Sequence, residues 1–201
     1  MNNDFYNYQK SVNDLTLVLS LAYFHHFSFK AIEKRIVQSK YFSLFASDFI
    51  NKESYATSYD ILKEIFPDVD IDVNIDIFYN ELEWVSMMYI YIISKTNFNF
   101  ETIFCYIHVD DAIKMYKIYH EMDLSLSYDE FNKLRKEKSI IKIRMKELEY
   151  TNEFVSKNVN LSCSMINSLK NRKRDIKKVD VNSALKLANL LKINIETLIN
   201  N

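Results

Sequence analysis

The chain has no glycine in 201 residues and a single proline, Pro67. Glycine is the residue that enters the left-handed backbone region without steric cost. A chain without it must give its left-handed turn positions to Asn and Asp, and it is expected to be rich in helix. Hydrophobic residues make up 48% of the chain, enough to bury a core and to exclude a disordered tail. The length allows one domain or two small ones.

Apolar periodicity places the helices. Residues 5–26 carry a broad apolar face of Val12, Leu15, Leu17, Val18, Leu19, Leu21 and Ala22. Residues 28–37 form a second helix capped by Ser28, with Phe29, Ile32 and Ile36 inward. A helical turn is expected over 45–50, and a short helix over 57–66 ends at Pro67. Residues 68–77, DVDIDVNIDI, alternate with the period of a strand. No second strand candidate exists to pair with them, so an acidic loop or short extended piece is expected. Residues 76–95 form a strongly apolar helix at the centre of the N-terminal core. Helices over 99–108 and 110–121 follow, and Tyr128–Glu149 is a charged helical stretch.

Charge divides the chain. Residues 1–132 hold 10 Lys and Arg against 20 Asp and Glu, a net of −10, and residues 133–201 hold 16 against 7, a net of +9. The overall net charge of −1 conceals this. A basic module of about 70 residues beside an acidic one is a nucleic-acid signal, although a solvated lysine-rich face would carry the same charge.

Within the basic part, residues 151–178 hold two short apolar-periodic segments separated by Asn158–Val159–Asn160. Phe154 and Val155 give the first its apolar face, and Leu161, Met165, Ile166 and Leu169 mark the second. Ser162 stands at the N-cap of the second. Helix, short turn and helix is the geometry that places a helix in a DNA major groove.

The run EYTNEFVSKNVNLSCSMINSLKNRKR resembles the phage-repressor-like helix-turn-helix module, the Xre or Cro-like family. Tyr150, Thr151, Asn152, Val155, Ser156, Leu161, Ser162 and Ile166 fall on that pattern. Leu187, Ala188, Leu191, Ile193, Ile195 and Leu198 match its closing segment. Glu149 and Asn160 replace the family's two glycines; Asn tolerates the left-handed turn, whereas Glu adopts it at greater cost. The run RKRDIKKVDV, with Arg172, Asp175, Ile176 and Lys178, looks like a branch common in Firmicutes whose members carry an acidic helical N-terminal domain. Trp84, Tyr119, His120, Glu121 and Asp123 carry that further match. The resemblance implies an all-α protein with an N-terminal helical bundle, residues 1–132, and a five-helix Cro-type helix-turn-helix domain, residues 139–201.

The implied activity is sequence-specific binding of double-stranded DNA by a transcriptional regulator, repressor or antitoxin-like, with helix 162–171 in the major groove. Ser162, Cys163, Ser164 and Asn167 would face base edges, Asn167 being suited to a bidentate adenine contact. Thr151 and Asn152 would position phosphate. Lys170, Arg172, Lys173, Arg174, Lys177 and Lys178 would supply salt-dependent backbone affinity. One module reads half a site, so a homodimer is expected. The alternative makes residues 1–132 an interaction module for a protein partner, toxin-like or other, with DNA binding serving autoregulation only.

Other chemistries find less in the sequence. Cys105-x-x-His108 offers two potential metal ligands without a second pair, and His25–His26 has no carboxylate at ligand spacing. Tyr119–His120–Glu121 are neighbours on a helix and point about 100° apart. No catalytic residue, metal or cofactor is expected. Cys105 and Cys163 are too few for a disulfide framework and suit a reducing cytosol. The polar start, Met1–Asn13, does not read as a signal peptide. The most apolar run, Trp84–Ile93, is about half the roughly twenty residues that span a bilayer. A cytoplasmic location without a membrane partner is the expectation.

Overall fold

The computed structural model describes residues 2–43, 57–71, 79–96 and 98–200. Among them are α-helices and a 3-10 turn, and no strand. The protein is all-α. No helix among the described residues is long and apolar enough to cross a membrane. The helical turn expected over 45–50, and residues 72–77 of the alternating segment, lie outside the described residues; residues 67 and 68 form a turn. The chain divides into two compact units, Met1–Asp129 and Glu130–Asn201. The first holds 10 Lys and Arg against 19 Asp and Glu, the second 16 against 8.

In the first unit, α1 (Asn2–Phe24) packs chiefly along α5 (Asn80–Lys95). α2 (Phe29–Gln38), α3 (Lys40–Ser43), α4 (Ser58–Ile65), α6 (Phe100–Phe104) and α7 (Val109–Tyr119) surround this pair. α5 is apolar on most of its circumference, the pattern of a helix enclosed by others, and Val85, Met88, Tyr89, Ile90 and Ile92 are wholly buried. The helices predicted over 99–108 and 110–121 are shorter than expected, because Asn99 caps one start and a turn at Cys105–Ile107 separates them.

Two buried carboxylates tie this unit together, each satisfied by groups from distant segments. Asp14 accepts from Lys10 Nζ at 2.8 Å, Tyr41 Oη at 2.6 Å and Ser58 Oγ at 2.7 Å, joining α1, α3 and α4. Burial and the Asp14 charge push the Tyr41 phenol up, so it stays protonated and donates. Glu33 of α2 accepts from the Val109 backbone amide at 2.7 Å and lies 2.8 Å from His108 Nδ1. It satisfies an early amide of α7 from across the bundle, where a negative charge is favoured.

The left-handed positions are where the sequence reading fails. Among the described residues five have positive φ: His26, Glu149, Asn160, Arg172 and Lys192. Only Asn160 is of the expected type. The other four share one hydrogen-bond pattern at a helix end, the two-bond Schellman closure. Phe27 N–H donates to Ala22 O and His26 N–H to Tyr23 O; Tyr150 to Met145 and Glu149 to Lys146; Lys173 to Ser168 and Arg172 to Leu169; Ile193 to Ala188 and Lys192 to Asn189. Each closure satisfies carbonyls that the helix leaves open, which offsets the cost of a Cβ in the left-handed region.

Candidate nucleic-acid interface

The second unit opens with the end of α8 (Ser125–Glu137), followed by α9 (Ile140–Glu147). The sequence reads 128–149 as one helical stretch. Ser139 interrupts it, its extended backbone and side-chain acceptance from Lys142 N–H starting a new helix. Then come α10 (Asn152–Val159), α11 (Cys163–Lys170), a 3-10 turn (Ile176–Lys178), α12 (Val181–Leu191) and α13 (Ile195–Ile199). α10 packs on α11 and α12, while α9 meets both α11 and α12. The core is Ile141, Met145, Val155, Val159, Ile166, Leu169, Leu187, Leu191 and Leu198.

α10 and α11 are joined by three residues, Asn160, Leu161 and Ser162. The sequence reading put Asn158 and Val159 in this turn. Both belong to α10, and Val159 is fully buried. Asn160 takes the left-handed conformation that reverses the chain, at φ 58°. Ser156 Oγ donates to Leu161 O, and Ser162 accepts from Met165 N–H at 3.1 Å as the N-cap of α11. Ser139 Oγ donates to Lys170 O at 2.7 Å, so one serine starts α9 and closes α11. Of the residues given to the apolar face of α10, Val155 is buried. Phe154 is 43% exposed and its ring lies 4.5 Å from that of Tyr150.

Cys163, Ser164 and Asn167 are exposed on the outward face of α11, and Asn171 extends that face by one turn. Asn171 was missed in the sequence, although its i+4 spacing from Asn167 could have found it. Its amide donates to Asn167 Oδ1 at 3.0 Å, so the Asn167 oxygen already has a partner. Lys170 is half-buried and donates to Asn152 Oδ1 at 3.1 Å, joining the end of α11 to the start of α10.

Thr151 caps α10 by accepting from Phe154 N–H. At the same end, its own backbone amide and then the Thr151 hydroxyl hold the Glu153 carboxyl below its ordinary value. A phosphate approaching α10 from this end would meet that negative charge. Lys173, Arg174, Lys177 and Lys178 follow α11 and are all exposed. Arg172, also exposed, donates to Lys138 O at 3.3 Å.

Arg172, Arg174 and Lys177 also line a cleft of about 360 Å³ in this unit, with Arg135 of α8. Arg135 was not singled out in the sequence, since nothing local brings α8 to a segment some forty residues later. In the first unit, Cys105 is buried and His108 turns Nδ1 to Glu33. Among the described residues no group of three or more His, Cys, Asp or Glu could hold a metal ion. His120 stacks on Tyr116 with ring centres 4.5 Å apart. Comparison with known protein families, with characterised proteins and with solved structures finds no significant match to this chain.

Proposed function

We propose that residues 139–201 form a Cro-type helix-turn-helix module that binds double-stranded DNA, and that the protein is a transcriptional regulator. The observation that carries this reading is the arrangement around α11. A polar, uncharged face of Cys163, Ser164, Asn167 and Asn171 is exposed, and five exposed cations, Arg172, Lys173, Arg174, Lys177 and Lys178, follow within eight residues of the helix end. Base edges are read by short polar side chains, while phosphates are held by Lys and Arg at the margin of the groove.

In this reading α11 enters the major groove and Lys173, Arg174, Lys177 and Lys178 hold the flanking backbone. Asn167 keeps its amide hydrogens for a base acceptor, while its oxygen is held by Asn171. The phosphate contact assigned to Lys170 is indirect, through its hold on Asn152. Two copies reading half-sites about one helical turn apart would complete an operator.

The test begins with duplexes selected by the purified protein from a random library. Affinity for a selected duplex is then measured against salt concentration. Each phosphate neutralised by a cation contributes roughly 0.9 to the logarithmic salt slope, so Lys177→Gln/Lys178→Gln should reduce it by about 2. Binding should weaken on every sequence alike. An unchanged slope with unchanged affinity would remove this segment from the footprint, and failure to enrich any duplex would defeat the reading itself.

A further inference from the structure

The outward face of α11 carries two carboxamides one turn apart, and the bonds between them fix which atoms are left to face outward. Asn171 Nδ2 donates to Asn167 O at 2.9 Å and to Asn167 Oδ1 at 3.0 Å. A backbone carbonyl only accepts, so the Asn171 atom beside it is the nitrogen. That nitrogen only donates, so the Asn167 atom it meets is the oxygen. Neither amide can be turned over without setting oxygen against oxygen or nitrogen against nitrogen.

The anchor is held in its turn. The Asn171 backbone amide donates to Asn167 O and Leu169 O, and the left-handed closure at Arg172 and Lys173 follows at once. Both hydrogens of the Asn171 side chain are therefore spent on Asn167, from a backbone fixed at the helix end. The Ser168 hydroxyl, beside Asn167 in the chain, is occupied with Ser164 O at 2.9 Å. Both hydrogens of Asn167 Nδ2 remain without a partner among the described residues, and the side chain is exposed.

This arrangement distinguishes the two purines. Adenine presents the N7 acceptor beside the N6 donor, so reading it with one Asn takes both the oxygen and the nitrogen of the amide. Guanine presents N7 and O6, two adjacent acceptors, and takes donors alone. An adenine contact would have to share the Asn167 oxygen between N6 and Asn171. A guanine contact uses only the two hydrogens that have no partner.

We propose that Asn171 is a positioning residue that makes Asn167 a donor-only reader, so that the base pair Asn167 selects is G·C. This rests on the DNA reading above and names the base that its central side chain recognises. The adenine contact that suits Asn by residue type is displaced by a neighbour four residues on. Asn171 acts through Asn167, by holding its amide plane and its oxygen.

Duplexes are selected from a random library by the full-length protein and by its Asn167→Ala and Asn171→Ala variants. Asn171 is exposed and has a right-handed φ of −101°, so alanine fits its backbone, and circular dichroism checks the fold. The position that loses its preference in Asn167→Ala is the one that Asn167 reads. Affinities are then measured for two duplexes that differ there alone, as G·C or A·T. The unaltered protein should favour G·C by about tenfold, and Asn171→Ala should bring the two to parity or favour A·T. A merely structural role for Asn171 would weaken both duplexes alike and leave their ratio unchanged.

A preference for A·T in the unaltered protein, or a ratio that Asn171→Ala does not move, would overturn the proposal. Selected duplexes in which Asn167→Ala alters no position would overturn it too, and leave the DNA reading standing. Failure of the full-length protein to enrich any duplex would remove both.

Discussion

His26, Glu149, Arg172 and Lys192 each occupy the helix-ending position where most chains place glycine. A residue with a Cβ is held there at roughly 1 kcal/mol or more above glycine's cost. Glu149→Gly and Lys192→Gly should therefore each raise stability by about 1 kcal/mol in urea unfolding, less the added entropy of a freer unfolded chain. The contrasting Glu149→Ala and Lys192→Ala should gain little. If glycine and alanine behaved alike at both sites, these closures would not be under left-handed strain. Arg172 differs in kind, since its side chain also lines the cleft beside Arg135. Caps were the legible part at this scale. Ser28 and Ser162 accept from amides three residues on, a local bond that the sequence displays. Glu33 was not legible as a buried group, because Val109 and His108 lie 76 and 75 residues away.

Several helices begin on side-chain oxygens, and some of those are carboxylates. Thr57 and Asp60 form a reciprocal capping box on α4, and Asp180 caps α12 by accepting from Ser183 N–H at 2.9 Å. The Thr57 hydroxyl and amide hold Asp60 below its ordinary value, and the Ser183 amide and hydroxyl hold Asp180 there. A carboxyl depressed in the folded state contributes stability above its unfolded pKa, about 4. That contribution is lost as pH falls through the lower folded value. Urea midpoints should thus be insensitive to these groups between about pH 5 and 7 and decline below about pH 4. Asp180→Asn keeps the cap and removes the titration, so its acid decline should be shallower. A parallel decline in the variant would place the acid sensitivity elsewhere. Helices with a clear apolar period were legible: α1, α2 and α4 lie within one to three residues of their expected ends, and α5 ends at the expected residue, Lys95. The break at Ser139 was missed although its cap on Lys142 N–H is local, because no Pro or Gly marks it; its second bond, to Lys170 O, needs the fold. The polar face of α11 was legible residue by residue. Its coupling to Asn171, and the pairing of Lys170 with Asn152, required the fold.

At the scale of the whole molecule, a net charge of −1 and a pI near 6.4 describe neither unit. With 10 cations against 19 anions in one and 16 against 8 in the other, the protein is dipolar in composition. At pH 7.5 and low salt it should be retained by both heparin and an anion exchanger, a behaviour that net charge does not anticipate. Lys177→Gln/Lys178→Gln should elute from heparin at lower salt and leave the anion-exchange position little changed. Passage through heparin unretained would mean that the basic charge is not presented to a polyanion. The glycine-free closures also bear on the order in which the molecule is assembled. No residue between Asp180 and Ile199 is a helix breaker, yet α12 ends at Leu191 and a new helix starts at Ile195. As a nascent or excised segment, these residues have nothing local to stop one uninterrupted helix. The corner at Lys192 is imposed by Ile193 entering the core and by Arg144 donating to Leu191 O at 3.1 Å. Where its helices stop is settled by collapse, and therefore late.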